Sequence, residues 1–299
     1  METLQLKLFV SLSRTYSFTK TANEFFVSQP TVSTHIKALE RSLGVTLLDR
    51  DNRKVSLTQE GLEFVDYAQS MLNMQSEAVT RLQNISKGRR GYIRIAILSS
   101  MSKLFSECLS EFSRKHQGVQ VDVFRMEGIE MIRAIRCREY DIYFGSHLVL
   151  PDKNNVEHLV TGAAQLQLFI HKRDIEGIDT DNLSTLRKVQ FIAISEMNFA
   201  LSGRIRSVCM KRGLTPEIMN YYNSTEMVLL AVNSGVGATI LPQGIEHFYS
   251  FPNIVSLPIR GDDATVKSVV IWHNERLSTE VEAFLSLDAL KKAIGRVSA

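Results

Sequence analysis

The 299-residue sequence predicts an α/β protein with an all-α N-terminal part, one long linker helix and a larger C-terminal part of alternating strands and helices. Apolar residues recur at helical spacing up to about residue 43, and a second helical run extends without a break from residue 59 to residue 86. From residue 92, short apolar runs alternate with helical segments. We therefore expect three parts, at 1–58, 59–91 and 92–299, because the chain is too long for one ordinary core.

Two short helices open the N-terminal part. The apolar positions of the first helix, at residues 3–13, are Leu4, Leu8, Phe9 and Leu12. Ser17 has the side chain of an N-cap and predicts that a second helix starts there. The residues of this second helix that we expect to face inward are Phe18, Ala22, Phe25 and Phe26.

A third helix, at about 29–41, separates an apolar face from a polar one. Ser28 is its N-cap, and Pro30 lies in the first turn, where a missing N–H costs nothing. Its apolar residues are Val32, Ile36, Leu39 and the following Leu43. Its polar residues gather near the N-terminal end and are Gln29, Thr31, Ser33, Thr34, His35 and Lys37. A recognition helix that enters the major groove of DNA presents such residues, since Gln pairs with adenine edges and Ser or Thr meets bases or phosphates.

The segment that follows Gly44 predicts a small β-hairpin, which would make the three helices a winged helix-turn-helix. It has a short strand, a turn at Asp51-Asn52 and a second strand that ends at Leu57. The tip carries Arg50, Arg53 and Lys54, which could contact phosphates or enter the minor groove. The charge distribution agrees with a nucleic-acid partner, because residues 1–90 contain 12 Lys and Arg against 9 Asp and Glu. Residues 91–299 contain 23 of each.

Taken in order, these residues resemble the N-terminal signature of the LysR-type transcriptional regulators. The matching residues are Leu6, Phe9, Ser17-Phe18-Thr19, Ala22, Val27-Ser28-Gln29-Pro30, Val32-Ser33, Ile36, Leu39-Glu40, Leu43-Gly44, Leu47, Arg50, Arg53, Leu57-Thr58 and Gly61. Leu48 and Thr21 depart from the residues common in that family, Phe and Ala. The resemblance implies DNA binding through Ser17, Thr19, Gln29, Pro30, Thr31, Ser33, Thr34, Lys37, Arg50 and Arg53. The alternative is that these polar faces are simply solvated.

The long helix that opens at Thr58-Gln59-Glu60 carries apolar residues in heptads. One series is Val65, Leu72 and Val79, and a second is Met71, Ala78 and Ile85, with Leu62 and Leu82 extending the stripe. Such a stripe favours self-association, and the alternative is a helix packed on its own domain. The resemblance implies a linker helix that pairs two subunits, in a homodimer or homotetramer that reads a palindrome. Residues 87–91 then predict a hinge.

The order of strands and helices after residue 92 predicts a mostly parallel sheet with helices on both faces. The expected strands are Tyr92–Leu98, Val119–Val123, Tyr140–Gly145, Leu166–His171, Phe191–Ile194, Gly237–Leu241 and Val266–Trp272. The expected helices are those carrying Leu104–Phe112, Met131–Cys137, Ser202–Arg212, Thr225–Asn233 and Ser278–Ile294. Glu139-Tyr140-Asp141-Ile142 and the segment Val232–Pro242 resemble landmarks of the LysR-type effector domain. The resemblance implies two subdomains like those of periplasmic binding proteins, I at about 92–162 and 268–299 and II at about 163–267.

Ligands of such folds bind in the cleft between subdomains, at the C-terminal ends of strands. On one wall we expect Ser99, Ser100, Met101 and Ser102, and on the other Ser195, Asn198, Phe199, Ser224 and Thr225. Hydroxyls and helix N-termini suit an anionic metabolite. The alternative is that these serines only cap helices. The residues leave open whether the effector is a sulfur metabolite, an aromatic acid or an amino acid.

Other classes of protein find less support in the sequence. We expect no cofactor and no metal, because the three cysteines and seven histidines are scattered and form no ligand motif. An enzyme is not expected, since the chain has neither a GxSxG elbow nor a phosphate-binding loop. A solute-binding protein would need export, and the N-terminus lacks a basic leader, so we expect a cytoplasmic protein. A DNA-binding protein without an effector stays open, as does contact with RNA polymerase.

Overall fold

The structure is a computed structural model that describes residues 1–49, 55–86, 91–151, 156–194, 199–274 and 277–295. The chain forms two compact units, the first made of residues 1–86 with the short segment Arg136–Glu139 and the second of the other described residues from 91 onward. Within these described ranges no helix is both long enough and apolar enough to cross a membrane.

The first unit begins with three helices, α1 (Thr3–Thr15), α2 (Phe18–Glu24) and α3 (Gln29–Leu43). The Ser17 hydroxyl accepts a hydrogen bond from the Lys20 N–H, and the Ser28 hydroxyl accepts one from the Thr31 N–H, both at 3.3 Å. These caps satisfy amide groups that have no partner within their helices. The structure therefore confirms both helix starts that the sequence predicts.

The core of the first unit lies where the three helices meet. Its fully buried residues include Leu8, Phe9, Leu12, Ala22, Val32, Ile36 and Leu39. Two sequence expectations are wrong, because Leu4 is exposed and Phe26 is 97% exposed. Phe26 lies in the turn after the second helix and has a φ of +54°. Helical spacing places Phe26 on the inward face, but this prediction is wrong because the helix ends at Glu24.

A small hairpin and a long helix complete the first unit. Strands β1 (Leu48–Asp49) and β2 (Ser56–Leu57) pair antiparallel, with Leu48 opposite Leu57. Helix α4 (Gln59–Ser86) follows directly. Its first turns pack on α1, where the Phe9 and Phe64 rings lie 5.5 Å apart. The predicted turn at Asp51-Asn52 lies outside the described residues.

The second unit contains two lobes, and the first lobe has a parallel core. Its elements are β3 (Gly91–Ile97), α5 (Ser102–Lys115), β4 (Val119–Arg125), α6 (Gly128–Arg136) and β5 (Ile142–Ser146). Strand β3 lies between β4 and β5 and is parallel to both. Buried residues of β3, α5 and the C-terminal helices form its main core, in which Phe112 and Phe284 are fully buried.

The second lobe is reached through a long strand, β6 (Val156–His171). Its other elements are β7 (Phe191–Ile194), α7 (Phe199–Lys211), β8 (Ile218–Tyr222), α8 (Thr225–Asn233), β9 (Thr239–Pro242) and β10 (Ile254–Pro258). Strand β11 (Thr265–His273) leads back to the first lobe, where α9 (Thr279–Leu285) and α10 (Asp288–Gly295) follow.

The main sheet is mixed, so the expectation of a mostly parallel sheet is wrong in part. Its order is β10-β6-β11-β5-β3-β4, with β9 also on β6, while β7 and β8 form a separate parallel pair. Strands β9, β10 and β11 each run antiparallel to β6, and β11 also runs antiparallel to β5. Because β6 and β11 carry the chain between the lobes in opposite directions, they add antiparallel pairs to the parallel core.

The C-terminal helix expected at Ser278–Ile294 is two helices. Helix α9 stops at Leu285, and α10 starts at Asp288. Both oxygens of the Glu111 carboxylate accept backbone N–H groups at the new start, from Asp288 at 3.0 Å and from Ala289 at 2.9 Å. A cap from a residue so distant in sequence cannot be inferred from local periodicity.

Candidate nucleic-acid interface and ligand cleft

Helix α3 presents a polar face opposite a fully buried one. Val32, Ile36 and Leu39 are completely inaccessible, which fixes the rotation of the helix. Gln29, Pro30, Thr34 and Lys37 are exposed, and Thr31 and Ser33 are half-buried. The sequence-predicted residues of this helix therefore share one surface, which we call the α3 face.

The residues of the α3 face differ in how far their polar groups are already engaged. The Thr31 hydroxyl lies 2.8 Å from the Ser28 hydroxyl, and the Thr34 hydroxyl donates to the Pro30 carbonyl at 2.9 Å. Within the described part of the chain, Gln29 and Ser33 make no side-chain hydrogen bond. Their donors and acceptors are thus available to a partner, as direct readout of base edges requires.

The start of α2 adds two further predicted residues. Ser17 is half-buried, and its hydroxyl is used as the cap of α2. Thr19, in the first turn, is exposed. The first amides of a helix favour a nearby phosphate, so this helix start has the chemistry of a backbone contact.

The hairpin is held against α3 by Glu40, a residue that sequence reasoning placed in the signature without a role. One oxygen of its carboxylate accepts the backbone N–H groups of Leu47 at 2.9 Å and Leu48 at 3.3 Å. The Thr58 hydroxyl donates to the Thr46 carbonyl at 2.8 Å and accepts from the Gly61 N–H at 2.9 Å, which ties the hairpin to the start of α4. The predicted hairpin residues Arg50 and Arg53 lie outside the described residues.

Gly61 is required by a close approach of two backbone segments. A Cβ atom built at this position would lie 2.0 Å from the Leu47 carbonyl oxygen. No real Cβ contact is that short, so any other residue must push α4 and the hairpin apart. This is the physical reason for a glycine two residues inside the long helix.

Helix α4 carries exposed apolar side chains along most of its length. Leu62, Met71, Val79 and Leu82 are exposed, as is Met74. Val65 and Leu72 are only partly buried and pack against the core of the first unit. The first two residues of the series Val65, Leu72 and Val79 are therefore partly covered by the unit's own core, whereas Met71 of the other series is exposed. The side chain of Ile85 lies outside the description.

A cavity lies between the two lobes of the second unit, with an empty volume of about 650 Å³ that includes space open to solvent. Its polar lining residues are Ser99, Ser100, Glu127, Ser146, Thr225 and Ser268. Much of the remaining lining is apolar and includes Leu98, Met126, Ile194, Leu201, Leu241 and Val266. We call this cavity the cleft.

Of the predicted ligand residues that the structure describes, three meet in the cleft and three do not. Ser99 and Ser100 come from the turn after β3, and Thr225 opens α8 on the other lobe. Met101, Ser102 and Ser224 are not among the lining residues, and the Ser224 hydroxyl instead caps α8 by accepting the Met227 N–H at 3.3 Å. Ser195 and Asn198 lie outside the described residues, as does the side chain of Phe199, the first residue of α7.

Among the described residues that line the cleft, the charged one is Glu127, which sequence reasoning missed. Its carboxylate accepts the Thr225 N–H at 3.0 Å and the Thr225 hydroxyl at 2.9 Å, and lies 2.8 Å from the Arg125 guanidinium. Glu127 lies two residues after the end of β4, which is parallel to β3 and next to it. The rule that places Ser99 at the ligand end of β3 would have found Glu127 at the same end of β4.

Gly244 keeps the second lobe close to the turn that carries Ser99 and Ser100. Its φ is +102°, a conformation that L side chains rarely adopt. A Cβ atom at this position would also lie 2.6 Å from the Ser100 carbonyl oxygen. The approach of this turn to the Ser100 backbone therefore depends on the missing side chain.

Two of the three cysteines have the surroundings of unreactive thiols. Burial raises the pKa of the Cys108 thiol to about 12 and that of the Cys209 thiol to about 11, so both stay protonated at neutral pH. Cys108, Cys137 and Cys209 are all buried and form no disulfide. Among the described residues, no group of three or more His, Cys, Asp or Glu side chains is placed to hold a metal ion.

Two family models match successive parts of the chain. The model of the LysR substrate binding domain matches residues 86–289, and that of the bacterial regulatory helix-turn-helix protein, lysR family, matches residues 4–62. The uncharacterised HTH-type transcriptional regulator YnfL of Escherichia coli (strain K12) is 27% identical over 282 residues, which cover 92% of this chain and 94% of that protein.

Solved structures share the fold over the full length. The crystal structure of CbnR, a LysR family transcriptional regulator, superimposes with a TM-score of 0.66 at 20% identity and covers 98% of this chain and 99% of that one. Full-length CbnR in complex with its target DNA gives a TM-score of 0.55 at 21% identity, with coverage of 98% and 100%. The chain therefore belongs to the LysR family of transcriptional regulators, with a helix-turn-helix domain followed by a LysR substrate-binding domain.

Proposed function

We propose that the protein binds promoter DNA through the α3 face and changes its promoter contact when a small metabolite occupies the cleft. The observation that carries the DNA-binding part is the exposure of Gln29, Thr34 and Lys37 opposite a completely buried apolar face. Pro30, Thr31 and Ser33 share the surface, Ser17 and Thr19 would contact backbone at the start of α2, and Arg50 and Arg53 would do so from the hairpin. The CbnR complex with target DNA supports this use of the fold.

We infer that the working unit is a homodimer or a homotetramer paired through α4. Leu62, Met71, Val79 and Leu82 expose apolar area on this helix, and burial of that area against a second copy would stabilise the pair. A two-fold symmetric protein reads a palindrome with half-sites about one helical turn apart. In this scheme residues 1–58 bind DNA, 59–91 pair the subunits and 92–299 sense the effector.

The cleft would act as a sensor, with no catalytic role. Its polar groups are hydroxyls and one carboxylate, and in the described part of its wall no histidine or cysteine accompanies them. An effector that binds one arrangement of the lobes more tightly than another would shift the population between them. Subdomain I would span about 92–162 and 268–299, and subdomain II 163–267. Because the partner is promoter DNA, we place the protein in the cytoplasm, where it could also meet RNA polymerase.

The experiment that tests the proposal is a mobility shift of the purified full-length protein on DNA from upstream of its own gene, measured across a salt series. We expect a discrete complex that resists nonspecific competitor and loses affinity steeply as salt rises, because phosphate contacts release counterions. Binding to other promoters only would redirect the search for targets. Failure to bind any duplex at low salt would contradict the proposal.

A second measurement separates a sensor from a DNA-binding protein whose C-terminal unit only oligomerises. The thermal unfolding midpoint is followed against a library of small metabolites. A compound that binds only the native state must raise this midpoint. A sensor is expected to show a hit that also changes the mobility shift, whereas an oligomerisation unit would show neither effect.

A further inference from the structure

We propose that Glu127 occupies the carboxylate-binding position of the cleft and that an effector bearing a carboxylate binds by displacing it. This inference rests on the proposed function, in which the cleft is the effector site. It adds the chemical class of the effector and names the internal group with which the effector competes. Four features of the cleft carry it.

The first feature is the geometry at the start of α8. The two oxygens of the Glu127 carboxylate accept separate donors of one residue, the Thr225 N–H at 3.0 Å and the Thr225 hydroxyl at 2.9 Å. Thr225 is buried, and the Ser224 cap fixes its orientation. Paired donors at the positive end of a helix are what a carboxylate needs. The chain therefore already holds a carboxylate at this position, and that carboxylate is its own.

The second feature is a buried hydroxyl on the facing wall. Ser99 is only 5% exposed and lines the same cavity as Glu127 and Thr225. Its Oγ atom has no hydrogen-bond partner among the residues that the structure describes. Buried polar atoms in proteins almost always have a hydrogen-bond partner, so a buried hydroxyl without one at a cavity wall indicates that a ligand supplies the partner. A ligand carboxylate would accept from this hydroxyl on one lobe and from Thr225 on the other.

The third feature is the charge of the lining. No Lys, Arg or His is found among the described residues that line the cleft. A second carboxylate at the start of α8 would meet the Glu127 charge with only Arg125 to offset it, and Glu127 already uses both Thr225 donors. An effector carboxylate can use the Thr225 donors only when Glu127 leaves them.

The fourth feature is that the Glu127 carboxylate can move out of the cleft and still keep a partner for its charge. Its side chain is 16% exposed, and its partner Arg125, two residues earlier, is 33% exposed. Arg125 is the last residue of β4, the edge strand of the main sheet, and Glu127 lies two residues beyond it. A displaced Glu127 carboxylate can thus keep its ion pair with Arg125 while moving toward solvent.

Displacement would change how the two lobes are joined. Glu127 belongs to the first lobe and Thr225 to the second, so their hydrogen bonds form an internal bridge across the cleft. The ligand would replace that bridge with its own, between Ser99 and Thr225. The exchange gives the effector different interactions with the two states, which any population shift requires.

The test removes the internal carboxylate and supplies a free one. The thermal unfolding midpoint of the full-length Glu127→Ala protein is measured against sodium acetate, with sodium chloride at equal ionic strength as the reference. We expect acetate to raise the midpoint by roughly 2–4 °C when its concentration is about ten times its dissociation constant. The wild type should respond much less at the same acetate concentration, because acetate must first displace the Glu127 carboxylate.

Two matched variants define the site. Glu127→Gln keeps the shape of the side chain and fills the position with a neutral group, so acetate should have no effect. Adding Thr225→Val to Glu127→Ala removes the hydroxyl donor and should weaken the acetate response at least severalfold. If the alanine variant does not fold, Glu127→Ser leaves the same space and replaces it in the experiment.

Three outcomes would overturn the proposal. Acetate and chloride could have equal effects on Glu127→Ala, or acetate could stabilise the wild type as strongly as the variant. Methylammonium, in place of acetate, could raise the midpoint of the wild type, which would make Glu127 a contact for a cationic ligand. DNA binding of the same variants is followed by mobility shift. If Glu127→Ala shows no acetate response but binds DNA normally, this inference alone is refuted. If the wild-type protein does not bind DNA, the proposed function is refuted.

Discussion

Arg212 and Asp263 form a two-pronged ion pair between the residue that follows α7 and the turn before β11. The Nη1 and Nη2 atoms of the guanidinium donate to the two carboxylate oxygens at 3.0 Å and 2.9 Å. The arginine side chain is only 12% exposed, and it also donates to the Val208 carbonyl at 3.1 Å. The hydrogen bonds from Arg212 lower the pKa of Asp263 to about 2. This pair fixes the entrance of β11 against the second lobe.

We expect Arg212→Ala to destabilise the second unit by roughly 1.5–3 kcal/mol, the usual range for hydrogen bonds to charged groups. Arg212→Lys should lower the free energy of unfolding by an intermediate amount, because lysine keeps the charge without the parallel pair of donors. Urea unfolding followed by the fluorescence of Trp272, the only tryptophan, measures this unit. The exposed pair of Lys291 with Asp288 at 3.9 Å supplies the control, since Lys291→Ala should change stability by less than about 0.5 kcal/mol. Equal effects of the two alanine changes would contradict the prediction.

The ionisation of Glu111 makes the stability of the second unit depend on pH. Hydrogen bonds from Lys115 and from the Ala289 and Asp288 amides lower its pKa from the ordinary 4.5 to about 2. Folding therefore favours the ionised carboxylate, and its contribution to stability is complete above pH 4.5. That contribution is lost as the pH falls from about 4.5 toward 2.

We expect Glu111→Gln to be less stable than the wild type at neutral pH, with the difference shrinking below pH 4.5 and vanishing near pH 2. The unfolding midpoint measured across this range by Trp272 fluorescence tests it. Glu107→Gln is the control, because Glu107 is exposed on the same helix and makes no hydrogen bond in the described part of the chain. A constant gap between wild type and Glu111→Gln at every pH would show that the carboxylate does not titrate with folding.

Phe26 holds a conformation that costs stability. Its φ of +54° lies in the left-handed region, which Asn tolerates better than Phe, and its exposed ring has no packing to lose. We expect Phe26→Asn to stabilise the first unit by about 1 kcal/mol. Thermal unfolding followed by the helical signal in circular dichroism tests this. Val45→Asn, at an exposed apolar position without positive φ, should give no gain, and an equal gain there would remove the backbone explanation.

The sequence predicts those features that local chemistry determines. Ser17 and Ser28 mark helix starts because the capping atoms lie within three residues of the amides that they accept. Phe26 is misplaced because hydrophobic spacing does not reveal where a helix stops. The break before Asp288 depends on Glu111, 177 residues away, and strand direction in the main sheet depends on which lobe each strand enters. The position of Glu127 after β4 follows from the rule that places Ser99, but its bond to Thr225, 98 residues away, cannot be read from local sequence.

The α3 face gives a test of base recognition. Gln29 and Ser33 make no side-chain hydrogen bond in the described part of the chain, so truncating them should leave the fold intact. We expect Gln29→Ala and Ser33→Ala each to weaken binding to the specific promoter by about 1–3 kcal/mol, while nonspecific affinity stays unchanged. Ser42→Ala, in the last turn of the same helix, is the matched control, because the Ser42 hydroxyl only donates to the Leu39 carbonyl.

Lys37→Ala distinguishes a charge contact from base readout on the same face. Removing one phosphate contact should weaken binding to every sequence alike and reduce the slope of log affinity against log salt by about 1. The two neutral truncations should leave that slope as it is. Loss of a phosphate contact changes the salt dependence of binding, whereas loss of a base contact changes the preference for one DNA sequence. The three variants therefore distinguish residues that contact the backbone from residues that read bases. If sequence preference survives both Gln29→Ala and Ser33→Ala, then α3 is not the helix that reads the bases.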